Sequence, residues 1–110
     1  MKVVFHIHDL NKWQTVLTNV SNLLKKGEGK VKKVEVVANG AAVQGYKMDH
    51  HMDKIVVLST DFGVHFNSCQ FAMAHQHMTQ DELPKLIQAV PSGVLRLAEL
   101  QHEGYAYIRV

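Results

Sequence analysis

The sequence predicts an α/β fold: a three-layer α/β/α sandwich around a mostly parallel five-stranded sheet, in one domain covering residues 1–110. Two observations predict it. Short β-rich apolar runs alternate with segments of helical periodicity along the chain. The first strand, helix and second strand also form a βαβ unit, whose crossover implies parallel neighbours. No linker, repeat or low-complexity stretch interrupts the alternation, so one hydrophobic core is expected.

Val3, Val4, Phe5 and Ile7 form the first strand. Trp13, Val16, Leu17, Val20, Leu23 and Leu24 then recur at spacings of three and four. This is an amphipathic helix that Asp9 or Asn11 can cap and Lys25-Lys26-Gly27 ends. Val34, Val36, Val37 and Ala38 make the second strand, closed by Asn39-Gly40. Two patterns compete over residues 49–62. Ile55-Val56-Val57-Leu58 resembles a buried strand, whereas Met52, Ile55, Val56, Ser59 and Phe62 share a helical face. A strand there would lie too close in sequence to residues 64–68 for parallel pairing, so the segment is assigned as a helix. Residues 64–68 form the third strand, which runs directly into a helix over residues 69–77. Thr79 and Glu82 make a capping-box pair before Pro84, and residues 86–90 form the fourth strand. Pro91-Ser92-Gly93 opens the last helix, with Val94, Leu97, Ala98 and Gln101 on one side and Leu95 widening the apolar face. Gly104 ends that helix, and residues 105–110 close the chain as a strand.

Composition narrows the function. A single cysteine cannot form an intrachain disulfide, which points to a reducing, cytoplasmic setting. The first apolar run, broken by His6, is too short for a signal-peptide core, and no stretch approaches the roughly 20 apolar residues of a membrane span. A net charge of +2 does not favour nucleic acid as a partner, and the lysines from Lys25 to Lys33 have no interleaved aromatics for base stacking. Gly40, Gly45 and Lys47 imitate part of a P-loop, but Tyr46 separates glycine from lysine and Met48 stands where Ser or Thr would bind magnesium. The first strand leads into Asp9-Leu10-Asn11 without the glycines of a dinucleotide fingerprint. Hydrolase and dehydrogenase motifs are therefore absent, and no cofactor is implied.

The candidate catalytic residue is Cys69, placed where a strand gives way to a helix. Unpaired N–H groups and the helix dipole favour a thiolate there, the reactive form of cysteine. In parallel sheets ligands bind beyond the carboxyl ends of the strands, so the loops after Ile7, Ala38, Asn67 and Val90 should share one edge. Asp9, Asn39, Gly40, His65, Ser92 and Gly93 are the candidate ligand-binding residues. Asp9 and Ser92 are equally suited to capping helices, and Asn39-Gly40 to a simple turn. His65 or His75 would supply a positive partner for the thiolate if the fold brought either into contact. Eight histidines are present, and His6, His8, His65 and Cys69 would suit zinc or copper if they converged, although their spacing matches no recognised metal pattern.

The strand ending Val36-Val37-Ala38-Asn39-Gly40, the segment Gly63-Val64-His65-Phe66-Asn67-Ser68-Cys69 and the tail from Val90 to Ile108 together resemble the DsrE/DsrF-like family of small sulfur-relay-related proteins. The resemblance runs along nearly the whole chain. It implies a flavodoxin-like α/β/α fold, a homo-oligomer such as a trimer or hexamer, and a persulfide-forming cysteine, a role that Cys69 alone matches. The function expected is a sulfur carrier that works between donor and acceptor proteins. The alternative is a noncatalytic oligomeric module that binds a small ligand or metal at the same edge. Self-association is also expected because Trp13, the apolar side of residues 94–101 and the methionine-rich segment need burial.

Overall fold

The structure is a computed structural model and describes residues 1–110. Its strands are β1 (Lys2–Ile7), β2 (Lys33–Ala38), β3 (His65–Cys69), β4 (Gln88–Val90) and β5 (Tyr105–Arg109). Its helices are α1 (Trp13–Lys26), α2 (Asp49–Phe62), α3 (Gln70–His75) and α4 (Gly93–His102). The five strands form one sheet in the order β4-β3-β2-β1-β5, and every pairing is parallel. The flavodoxin-like three-layer architecture is present. No helix is long and apolar enough to cross a membrane.

The chain steps from β1 through β4 in one direction, then returns past β1 to lay down β5. Right-handed crossovers put helices from opposite directions of travel on opposite faces. The two cores follow this division. Val3, Phe5 and Ile7 join α1 and α2 side chains in a cluster of 23 buried residues, whereas Val4 and Val37 join Leu97, Leu100 and Tyr105 in a cluster of five. Alternate residues of β1 thus serve different layers. One face is thickly covered and the other carries α4 alone. Each fully buried Val, Leu or Ile contributes about 1.5–3 kcal/mol of transfer free energy, so the larger cluster supplies most of the hydrophobic stabilisation.

Residues 49–62 are helical, and Gly63 ends α2 in the left-handed region at φ 69°, donating its N–H to the Leu58 and Ser59 carbonyls. The Thr79 N–H donates to Glu82 Oε1 at 2.9 Å, as the capping pair requires. Several boundaries and faces differ from expectation. Neither Asp9 nor Asn11 caps α1 through its side chain; a single 3-10 turn, Leu10–Lys12, precedes that helix instead. The third helix is only six residues long, with Cys69 as its N-cap and His77 at φ 54° beyond its end. The fourth strand begins at Gln88 because the Ile87 N–H turns back to the Pro84 carbonyl. On α4 the buried stripe is Gly93, Leu97 and Leu100, at i, i+4 and i+7, which leaves Val94, Leu95 and Ala98 facing outward. The helix is rotated this way because its glycine, not its first branched residue, meets the sheet.

A partly buried ion pair anchors that helix. The Arg96 guanidinium donates to both carboxylate oxygens of Glu35 at 3.2 and 3.0 Å, and Asn67 Nδ2 donates to Glu35 Oε1 at 2.9 Å. Residues 40–47 form a 3-10 segment that covers the carboxyl end of the main core. Trp13 is buried inside the fold, with its indole N–H donating to the Ala42 carbonyl at 2.7 Å, so it is not a surface residue awaiting a partner. Gly45 lies flat against that indole, and a Cβ there would overlap Trp13 Nε1. Gly45→Ala is therefore expected to destabilise the fold by about 1–3 kcal/mol, the usual cost of overpacking. Urea denaturation measures this, and an unchanged midpoint would contradict the packing.

Candidate functional site

All strands point the same way, so the loops after β1, β2, β3 and β4 gather at one edge. Cys69 lies there. It is both the last residue of β3 and the N-cap of α3, at φ −71° and ψ 116°, and its Sγ accepts the Ala72 N–H at 3.4 Å. It pairs in the ladder with Val90, the last residue of β4. From this point the chain leaves β3 toward the thick core, where Ala72 and Met73 are buried, and leaves β4 toward α4 on the opposite face. Adjacent strands whose connections diverge open a crevice between them, the usual ligand position in parallel sheets.

Gly93 opens α4 beside these strand ends. A Cβ on it would lie 3.2 Å from Asn39 Cβ and 3.2 Å from Cys69 Cβ, so the glycine sits between the two residues. Cys69, Asn39 and Gly93 are therefore brought together as the edge rule requires. Ser92 acts as a helix cap, its Oγ accepting the Leu95 N–H at 3.2 Å. The thiol is enclosed, with Cys69 only 5% exposed.

Asn39 has a second set of neighbours. Its Oδ1 accepts from His6 Nε2 at 2.9 Å and from His8 Nδ1 at 3.0 Å. An amide oxygen only accepts, so both of these ring nitrogens carry hydrogen, and His6 Nδ1 is left to accept the Tyr107 hydroxyl at 2.6 Å. Gly40 adopts the left-handed region at φ 54°. It makes room for His8, whose ring a Cβ at this position would overlap.

The remaining candidates lie elsewhere. His65 begins β3 and is exposed at the opposite edge of the sheet, since the extended strand carries it away from Cys69. His75 stacks against Phe71 with ring centroids 4.8 Å apart. Asp9 is exposed in the loop after β1 and caps no helix with its carboxylate. The set of His6, His8, His65 and Cys69 does not converge, and no group of three or more His, Cys, Asp or Glu side chains is placed to hold a metal ion. A cleft of about 780 Å³ lies between α1 and α2 against Leu24, Val31, Val57 and Phe62 and includes no residue of the carboxyl edge. Tyr107 and Glu35 emerge only from the structure. The sole hint of Tyr107 is the alternation of the last strand, which becomes informative once β5 is known to pair with β1.

Burial, above all, lowers the pKa of His6, and the Arg109 and His8 charges lower it further against the raising effect of Asn39. The folded state thus binds a proton at His6 less readily than the unfolded chain, whose ordinary value is 6.5. The stability due to neutral His6 is complete above that value and is lost as the pH falls through it. His51, lowered by burial and by His50, acts in the same direction. Urea midpoints between about pH 7.5 and pH 5 should fall more steeply for the wild type than for His6→Gln, with His51 contributing equally to both. Parallel profiles would contradict the assignment to His6.

No family model and no curated protein matches the chain. Among solved structures it is similar to MTH1491, a protein of unknown function from Methanobacterium thermoautotrophicum, at 33% identity over 99% of this chain and 98% of that one, with a TM-score of 0.88. It also shares its fold with BT1422, a conserved protein of unknown function from Bacteroides thetaiotaomicron, at 16% identity over 99% and 94% of the two chains, with a TM-score of 0.75. The first match spans both proteins almost end to end, and the chain belongs to the same family as MTH1491.

Proposed function

We propose that the protein is a sulfur carrier in which Cys69 holds sulfane sulfur as a persulfide, as in the DsrE/DsrF-like proteins its sequence resembles. One observation carries this reading: the only cysteine lies where the β3 and β4 connections diverge, with a backbone N–H directed at its sulfur. A hydrogen bond of this kind favours sulfur that bears negative charge. In the loading step the Cys69 thiolate attacks the outer sulfur of a donor persulfide, RS–SH. The new S–S bond forms as the RS–S bond breaks, giving Cys69–S–SH and RS⁻. An acceptor thiolate reverses the exchange and regenerates the Cys69 thiolate. No net oxidant is needed, and with no second cysteine the persulfide cannot collapse into an internal disulfide.

Burial of Cys69 screens the sulfur from bulky reagents. Small polysulfides, or a partner protein that displaces the neighbouring side chains, are the donors this arrangement suits. Treatment of the native protein with polysulfide, followed by intact-mass measurement, should add sulfur to the wild type and none to Cys69→Ser, with the fold of the variant unchanged. A wild-type protein that gains no sulfur and alkylates like an ordinary thiol would end this reading.

The carrier is further proposed to work as a homo-oligomer, a trimer or hexamer. Phe71 on α3 and Val94 and Leu95 on α4 flank the cysteine and are 67%, 69% and 54% exposed, large apolar side chains that a partner subunit would cover. Light scattering at micromolar concentration should report more than one subunit, whereas the mass of a single chain would rule the assembly out.

A further inference from the structure

The helix α4 crosses its face of the sheet obliquely, from Gly93 beside Asn39 and Cys69 to the turn that starts β5 next to Lys2. The carboxyl halves of β1 and β5 on that face are left uncovered. The alternation that places Val4 beneath α4 brings His6 and His8 into this corner, and the alternation of β5 brings Tyr107 and Arg109 there after the buried Tyr105. Arg109 lies directly opposite His6 in the ladder. Where the helix ends, this face of the sheet is lined by polar side chains.

Two features of the corner favour negative charge. The His6 ring is hydrogen-bonded to Asn39 and Tyr107, and the Arg109 and His8 charges that act on it are positive; Asp9 lies beyond in the exposed loop. The Asn39 oxygen is fully engaged by the two histidines, so its Nδ2 hydrogens make no bond within the subunit and remain as donors. The Arg109 guanidinium, exposed on the neighbouring strand, adds a planar fork of N–H groups suited to two oxygens of one anion.

We propose that this corner binds a small oxyanion, held by the guanidinium of Arg109 and the amide hydrogens of Asn39, with the His6 and His8 rings as its wall. The site adjoins Cys69 across Gly93 but does not use the thiol, so it stands independently of the sulfur-carrier function. The anion is either free or the oxyanion end of a sulfur-bearing molecule, and sulfate and thiosulfate represent the two sources.

Each probe is titrated into the full chain while the imidazole Cε1–H resonances are followed by NMR. The His6 and His8 signals should shift and saturate, whereas those of His65 and His102, outside the corner, should not. Saturation with both probes supports a free-oxyanion site, and saturation with thiosulfate alone supports one for the sulfur-bearing class. Arg109→Gln should weaken binding on the order of tenfold. Asn39→Asp should abolish it, because the carboxylate keeps both histidine hydrogen bonds but replaces the donors with negative charge. Cys69→Ser should titrate like the wild type, which separates this site from the fate of the thiol. The proposal is overturned if neither probe saturates the His6 and His8 shifts by roughly 50 mM, or if Asn39→Asp binds as the wild type does.

Discussion

The partly buried ion pair between Glu35 and Arg96 sets the position of everything on the thin face of the sheet. That face has a single covering helix and a core of only five residues, too little apolar surface to define how α4 is rotated. The carboxylate on β2 receives the guanidinium from α4 and the Asn67 amide from β3, so three elements are held at one point. Such a pair offers little net stability over an apolar substitute, yet loss of either partner leaves the other unpaired, which makes it a strong constraint on geometry. Arg96 lies one turn beyond Gly93, and fixing the arginine fixes the glycine against Asn39 and Cys69.

From that contact the carboxyl edge divides into two chemically different halves. On the β3 and β4 side, diverging connections and a short helix enclose a thiol. On the β1 and β5 side, the oblique course of α4 leaves polar side chains open to water. Asn39 belongs to both halves, with its Cβ against Gly93 and its amide oxygen bound to His6 and His8. The thick face contributes Cys69 itself and the Ala72 N–H that meets its sulfur. Its tightest packing, Trp13 against Gly45 with the indole hydrogen bonded to Ala42, anchors the 3-10 segment that covers the main core.

The histidines show how differently similar residues are used. His6 and His8 share a strand face, and the turn that follows β2 supplies one amide oxygen to both. His65 has the same strand setting but starts its strand instead of ending it, so it lies at the wrong edge. His50 and His51 pack together at the start of α2, with ring centroids 4.0 Å apart, on the far side of the thick core.

Local patterns determined much of the fold by themselves, because each rests on neighbours a few residues apart. The spacing of Trp13, Val16, Leu17 and Val20 specifies α1 and its buried face, and the short gap before residues 64–68 decides α2 against a strand. The direct passage of a strand into a helix at Cys69 was legible for the same reason, and parallel strands then placed Cys69, Asn39 and Gly93 at one edge. The rotation of α4 was not legible: Val94 and Leu95 suit an apolar face as well as Leu97 and Leu100 do, and only the Arg96 anchor and the close approach of Gly93 select between them. Nor could the joining of His6 to Tyr107 be read from the chain, since it depends on β5 returning beside β1 across 101 residues, a pairing that leaves no local periodicity. Burial of the thiol is likewise a tertiary outcome, because it depends on how α3 and α4 close over the ends of β3 and β4.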